Sequence, residues 1–397
     1  MFLFIDPQIL SLVLGGALAL DNGTNALVNI ASLVVGDANA DTEARDKTPA
    51  YYTSTLSVND AKRNESQEFI VSIHDAVNEN GSEKYPLDVR MNCFVTKLEI
   101  NDSANPPRAI GVGLLDGKYL YKASPLSSNG KAGVHCVVRG HHRSRVDLPG
   151  VGKNRQDQYE AMVQVHTPKD ISSLKACPFR LHGQSDPCLT RWMKSVLGDR
   201  GIYSSSGVLT SMFYKSTATT SDEIDINLFS VFTCTALEAY PRNNAGTVTL
   251  RSADPLNPPE IMFNYFDTGI GDYRADLQAM YEALELGCRA FKHQLLPVSE
   301  VLPGANVTSQ EDIETYIKDT AWGHPSMRTC PIGSDDGPMA VLDSKFRVRG
   351  VDRLRVVDGS AFPRIPGTFP ALAIYTVAEK AADVIWSEIN IPIEHTR

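Results

Sequence analysis

The triplet Asp358-Gly359-Ser360, with two polar side chains, follows a short, mostly apolar run with β-branched members, Leu354 to Val357. Such a run reads as a buried strand, which delivers the polar triplet to a site at its end. Upstream, His324 lies in the segment WGHPSMRTCPIG. Histidine is the side chain best suited to taking up or releasing a proton near neutral pH, although one beside Trp322 and Gly323 could equally hydrogen-bond the backbone and fill a pocket. Pro325 restricts His324 towards extended backbone angles.

These residues need an element to hold them, and the chain supplies one. Pro366-Gly367 makes a turn, Thr368 and Pro370 suit a helix start, and Ala371, Tyr375, Ala378, Ala382 and Ile385 recur at alternating spacings of four and three. The pattern predicts an amphipathic helix with that stripe inward and its N-terminus beside Asp358.

Other candidate clusters carry less. The run RGHHRSR, Arg139 to Arg145, offers two histidines, but neighbouring side chains of an extended segment point oppositely, so His141 and His142 do not readily share a metal. It reads as a solvated basic loop. Cys93, Cys136, Cys234, Cys288 and Cys330 are scattered without CxxC spacing and are expected as buried small hydrophobes, so no metal site is expected. Cys177 and Cys188 bracket a short loop that they could close in an oxidising compartment, with two free thiols as the favoured alternative. Gly111, Gly113 and Gly117 superficially resemble a phosphate-binding loop, but they sit in a hairpin pattern that runs on through a strand-like LysTyrLeuTyr with no following helix.

Composition excludes further classes. With 397 residues, 42% hydrophobic and 21% charged, the chain can bury a large core in two interleaved domains. The 38 basic residues against 47 acidic ones leave a formal charge of −9, which repels a phosphate backbone, so no nucleic-acid partner is expected. Ile9 to Leu20 is apolar enough for the core of a secretory signal, though Asp6 interrupts it and no basic residue precedes it; it is too short for a membrane span. Glycosylation sequons at Asn22, Asn64, Asn80, Asn101 and Asn306 matter only in a secreted chain, so localisation stays open between secreted and cytoplasmic.

The ordered string from WGHPSMRTCPIG through VLDSKFRVRGVDRLRVVDGSAFPRIPG to TFPALAIYTVAEKAADVIW resembles the C-terminal signature of the glucose-methanol-choline (GMC) oxidoreductases, of a fungal type. The hairpin pattern from Tyr85 to Tyr121, the passage VDLPGVGKNRQDQYE and the stretch Arg242 to Phe266 extend the likeness. The resemblance implies an FAD-dependent oxidation of CH–OH groups on an alcohol or polyketide-like small molecule, in fungal secondary metabolism or on extracellular alcohols. It implies Val95, Asp358 and Gly359 at the cofactor, a helix N-terminus whose partial positive charge stabilises the reduced ring, and His324 as the base on the substrate hydroxyl.

The implied fold is mixed α/β: a reduced FAD-binding-type domain with an inserted substrate domain built on an antiparallel sheet. Residues 1–160 would be the remnant of the FAD-binding domain, 161–319 the substrate domain and 320–397 the return. Two departures from the family stand out. No Gly-rich strand-turn-helix fingerprint is found, as if the chain started after that unit; Gly15-Gly16 with Asn22-Gly23 resembles the family's later glycine-rich flavin segment. Counting from Thr329 puts the family's base on Pro325, and counting from Ala378 puts its partner on Phe369, neither of which can move a proton. A flavin-independent cyclase, isomerase or dehydratase, or an inactive truncated homologue, is the alternative. Oligomeric state is unreadable.

Overall fold

The computed structural model describes residues 6–389 apart from 121, 123, 125–132, 136–145, 172–173, 175–176, 179–184, 195–199 and 231–232. The RGHHRSR run and Cys136 lie outside the described residues. Two compact units form, one from Met1–Asp88, Tyr159–Ala239 and Arg274–Trp322, the other from Val89–Gln158, Tyr240–Tyr273 and Gly323–Arg397. The expected division ran in three consecutive blocks. Instead the first 88 residues join the middle of the chain, because Ala50–Thr53 pairs in the sheet of that unit.

The first unit is built on a six-stranded antiparallel sheet, ordered Ala50–Thr53, Thr210–Tyr214, Ile226–Ser230, Thr233–Glu238, Glu160–His166 and Ser299–Leu302. Alternation of Ala161, Val163 and Val165 sends one face of the Glu160–His166 strand inward, as a period of two requires. The helix Tyr273–Lys292 covers that face: a Cβ on Gly287 would stand 3.3 Å from Val163 and 3.4 Å from the Cys234 sulfur. A hydroxyl chain, Tyr51 to Thr210 at 3.0 Å and Thr210 to Ser230 at 2.9 Å, links three neighbouring strands of the sheet and pairs these hydroxyls with one another.

The apolar run offered as a signal core is helix Pro7–Ala19, capped by Asp6, whose carboxylate accepts from the Gln8 and Ile9 amides. Ile9, Val13 and Ala17 are buried. Gly15 and Gly16, likened above to a flavin segment, have a packing role here: a Cβ on Gly15 would lie 2.4 Å from the Ala290 carbonyl oxygen and one on Gly16 would lie 2.8 Å from the Tyr51 hydroxyl.

The second unit holds the hairpin Cys93–Asn101 with Arg108–Asp116, joined by the short strand Gly133–His135. The strand expected from Tyr85 begins only at Cys93, and Lys118–Leu120 is a turn rather than a strand continuation. Gly111 and Gly113 lie within the hairpin, where no helix follows them. A small core of Val341, Leu342, Phe346, Ala361 and Ala381, flanked by Val356, Val357 and Val377, gathers the C-terminal run. Leu354 to Val357 is half-buried extended chain with one bridge, Arg347 to Arg355, rather than a buried strand; no ladder runs beside it to make one.

The C-terminal helix forms as expected over Ala371–Ile389, but in a different phase. Ala371, Tyr375, Ala378 and Ala382 face solvent, while Ile374, Val377, Ala381 and Val384 turn inward. Both stripes are apolar, so periodicity alone fixed the helix and left its rotation open.

Cys177 and Cys188 are disulfide-bonded, against the free-thiol alternative favoured above. Of the described free cysteines, Cys234 is buried while Cys93, Cys288 and Cys330 are half-buried, a correction to the expectation that all are core residues. Cys93 donates a hydrogen bond to Asp116 at 2.8 Å.

Two predictions follow from this packing. Gly15→Ala should destabilise the first unit by about 1–3 kcal/mol, because a backbone carbonyl blocks the added methyl; chemical denaturation followed by circular dichroism measures it. Burial pushes the Cys234 thiol up to about 12 from an ordinary value of 9.0. The native state therefore holds a proton that the unfolded chain has lost, so this stability is complete below pH 9 and is lost as pH rises from there towards 12. Cys234→Ala should show a shallower alkaline decline in denaturant midpoint than the parent protein.

Candidate active site

The residues that could do chemistry assemble in the second unit around one short ladder. The Arg328 amide donates to the Gly359 carbonyl at 3.4 Å, the Cys330 amide to Ser360 at 3.0 Å and the Ile332 amide to Ala361 at 2.9 Å. This ladder binds the segment carrying His324 to the acidic turn. Asp358 caps the 3-10 turn Gly359–Ala361, its Oδ1 accepting from the Ser360 amide at 2.8 Å and from the Ser360 hydroxyl. Gly359 packs at ordinary contact distance, a Cβ there lying 3.4 Å from Met327 and 3.8 Å from Ile374, in the first turn of the C-terminal helix. The expected proximity of turn and helix start is therefore present.

A second device holds this assembly from behind. The dipeptide Gln156–Asp157 pairs antiparallel with Ser326–Met327, two residues beyond His324. Gln156 donates to the Pro241 carbonyl at 3.1 Å and accepts from the Ile365 amide at 3.2 Å, while Gln158 donates to the Gly367 carbonyl at 2.5 Å. Both glutamines thus grip the loop that leads into the C-terminal helix. Between them, Asp157 is buried, paired with Arg155 at 2.9 Å and accepting from the Tyr265 hydroxyl. The Arg155 guanidinium stacks 4.2 Å over the Phe263 ring. Asp157 also explains Gly323, where a Cβ would come within 2.6 Å of the carboxylate.

His324 is exposed, in a bend between Gly323 and Pro325. Four residues downstream, Arg328 takes up a left-handed conformation at φ +74°. Phe369 is half-exposed with φ +47°. Burial pushes the Cys330 thiol up, with Ser360 opposing and Asp358 reinforcing the shift, so it stays protonated and is no nucleophile at neutral pH.

The ladder joins Gly359 to Arg328, four residues after His324, Asp358 caps the same turn, and Val95 stands on the hairpin sheet. Val95 is 54% exposed and stands at a register shift between Val95 and Lys97, a bulge of the kind that re-aims a strand. The hairpin is tied to the chain six residues before Asp358: the Ala109 amide donates to the Asp352 carbonyl at 2.9 Å, and Arg108 pairs with the Asp352 carboxylate at 3.2 Å. The sequence reading missed Gln156, Asp157, Gln158 and Arg328. Three consecutive polar residues in an extended segment were the available signal for the first three; a backbone angle leaves no mark in one sequence.

Residues 241–378 match the family model of the GMC oxidoreductases. The oxygen-dependent choline dehydrogenase of Vibrio vulnificus is 31% identical over 331 residues, which cover 77% of this chain and 53% of that protein. The chain belongs to the GMC oxidoreductase family. The mitochondrial choline dehydrogenase of Mus musculus is 30% identical over 278 residues, 62% of this chain and 43% of that protein. The chain thus spans about half the length of these curated relatives. Among solved structures, an FAD-dependent oxidoreductase from Chaetomium thermophilum superposes with a TM-score of 0.67 at 16% identity, covering 95% of this chain and 72% of that one. A formate oxidase gives 0.64 at 17%, with coverage of 85% and 65%. At such identities the likeness is one of fold: mixed α/β, with the antiparallel sheet expected from the sequence.

GMC enzymes generally bind FAD, and the residues present can be tested against it. The ring end fits: a glycine, a capped acidic turn and the first turn of a helix meet at one place. The pyrophosphate end does not, because among the described residues every named strand pair is antiparallel and no glycine-rich turn leads from a strand into a helix.

The glutamine grip makes a direct prediction. Gln156→Leu should free the Ile365 amide and leave the Pro241 carbonyl without its donor, costing roughly 1–3 kcal/mol. Hydrogen exchange read by mass spectrometry should show faster exchange across residues 365–370 and unchanged exchange in the six-stranded sheet.

Proposed function

We propose that this chain takes part in the FAD-dependent oxidation of a CH–OH group on a small-molecule alcohol, with His324 as the base. The carrying observation is the ladder from Arg328, Cys330 and Ile332 to Gly359, Ser360 and Ala361, which fixes the histidine segment against the acidic turn. In this reading FAD, when bound, supplies the hydride acceptor. Neutral His324 accepts the hydroxyl proton of the substrate. Asp358, Gly359 and the exposed Val95 edge hold the cofactor, and the N-terminus of the Ala371–Ile389 helix favours negative charge at the ring.

A fungal, secondary-metabolic setting and secretion belong to the same proposal. Secretion is supported by the Cys177–Cys188 bond, which suits an oxidising compartment, and by exposed sequon asparagines at Asn64, Asn80, Asn101 and Asn306. No helix among the described residues is long and apolar enough to cross a membrane.

The test is a visible absorbance spectrum of the purified chain before and after incubation with excess FAD and removal of the free cofactor. Retained flavin, together with a fall in kcat of about 10²–10⁴-fold in His324→Ala, is the expected outcome. A cooperatively folded protein that retains no flavin, yet turns over a substrate without an electron acceptor, would instead support the cyclase, isomerase or dehydratase alternative.

A further inference from the structure

Of the five Asn-X-Ser/Thr acceptors in the chain, one is set apart by its geometry. Asn80 stands at the tip of a tight hairpin closed by the antiparallel bridge from Val77 to Glu83. The Asn78 amide donates to the Ser82 carbonyl at 2.8 Å, the Gly81 amide to the Asn78 carbonyl at 2.9 Å and the Lys84 amide to the Ala76 carbonyl at 2.9 Å. At the tip, the Asn80 side-chain oxygen accepts from the Ser82 amide at 3.0 Å and from the Ser82 hydroxyl at 2.7 Å. The acceptor asparagine and the hydroxyl two residues on are therefore already in contact, in a turn that asparagine favours. That hydroxyl in turn accepts from the Asn78 Nδ2 at 3.0 Å. Every residue from 77 to 90 is exposed.

The other acceptors are arranged differently. At Asn101 the Ser103 amide reaches the side-chain oxygen at 3.0 Å without the hydroxyl. Ser66, which follows Asn64, is the first residue of the helix Ser66–His74 and lies inside the capping box of Glu65 and Glu68. Asn22 is itself left-handed at φ +54°, and the Thr308 amide beyond Asn306 is taken up by Asp312 at 3.4 Å. Where a side-chain amide nitrogen donates to the fold, as at Asn29, Asn78, Asn257 and Asn264, no sequon is present. Among the described residues the Asn80 nitrogen serves no protein acceptor. A large group added to it breaks no hydrogen bond of the fold.

We propose that Asn80 is an N-glycosylation site, presented to the transferase by this hairpin tip. The inference rests on the secretion reading above, which the Cys177–Cys188 bond supports, and goes beyond it by naming the acceptor. In the transfer, Asn80 Nδ2 forms a bond to the anomeric carbon of a lipid-diphosphate-linked oligosaccharide. The bond from that carbon to the diphosphate oxygen breaks, the lipid diphosphate leaves with the electron pair, and Nδ2 gives up one proton. The hairpin is closed by contacts within residues 76–84, so it needs no distant segment to form. Gly81 sets the turn: its φ of +80° suits glycine, and a Cβ there would meet nothing within 4 Å. Alanine at this position keeps the sequon and opposes the turn through the backbone alone.

The experiment expresses the full chain in yeast behind a cleavable secretory leader. Glycans are released by peptide-N-glycosidase in heavy-oxygen water, which converts each glycosylated asparagine to labelled aspartate, and tandem mass spectrometry then reads the five acceptors one by one. Asn80 is expected to be occupied in most molecules, and Asn80→Gln should lose the mass of one glycan. Gly81→Ala should lower occupancy at Asn80 by about twofold to fivefold while leaving the other acceptors unchanged. A bare Asn80 in secreted, folded protein overturns the assignment, and equal occupancy in Gly81→Ala overturns the hairpin as its cause. If the leader-borne protein is glycosylated at Asn80 but the chain starting at Met1 is retained unmodified in the cell, the secretion reading fails and the acceptor assignment stands. If the chain starting at Met1 reaches the medium with Asn80 bare, secretion stands and the acceptor assignment fails.

Discussion

The second unit depends on a backbone ladder of three hydrogen bonds, from Arg328, Cys330 and Ile332 to Gly359, Ser360 and Ala361. Neither segment belongs to a named strand, so each would otherwise leave peptide groups unpaired against a core of Val341, Leu342 and Phe346. Joining them satisfies those groups and in the same act sets a histidine segment beside an acidic turn. Structure and chemistry are inseparable here because one set of amides serves both.

The ladder is kept in place by side chains that have no chemistry of their own. Gln156 and Gln158 each reach the loop before the C-terminal helix, and Asp157 is locked between Arg155 and Tyr265. Breaking one partner of such a buried pair leaves an uncompensated charge, which is why arrangements of this kind hold a single geometry. Gly323 completes the arrangement by omission: a side chain there would collide with Asp157.

The surfaces around this site remain strongly apolar. Val95, Leu98, Ile110 and Val112 on the hairpin, and Leu372, Trp386 and Ile389 on the C-terminal helix, are exposed. An amphipathic helix whose two stripes are both hydrophobic has one more face to bury than the second unit covers. The same ambiguity made its rotation illegible, since Ala371, Tyr375 and Ala378 offered as good a stripe as Ile374, Val377 and Ala381.

What the sequence determined by itself were local matters: the existence of the C-terminal helix, the hairpin around Val95, the acidic turn at Asp358 and, through their order, the family. Each depends on neighbours within a few residues, where propensity and spacing act directly. Tertiary structure alone decided which helical stripe is buried, that Leu354 to Val357 has no ladder, that Cys177 bonds Cys188, and that Ala50–Thr53 joins the six-stranded sheet. It also decided the roles of Gln156, Gln158 and Arg328, because pairing, burial and a left-handed backbone angle are set by segments far apart in the chain, which one sequence does not list side by side.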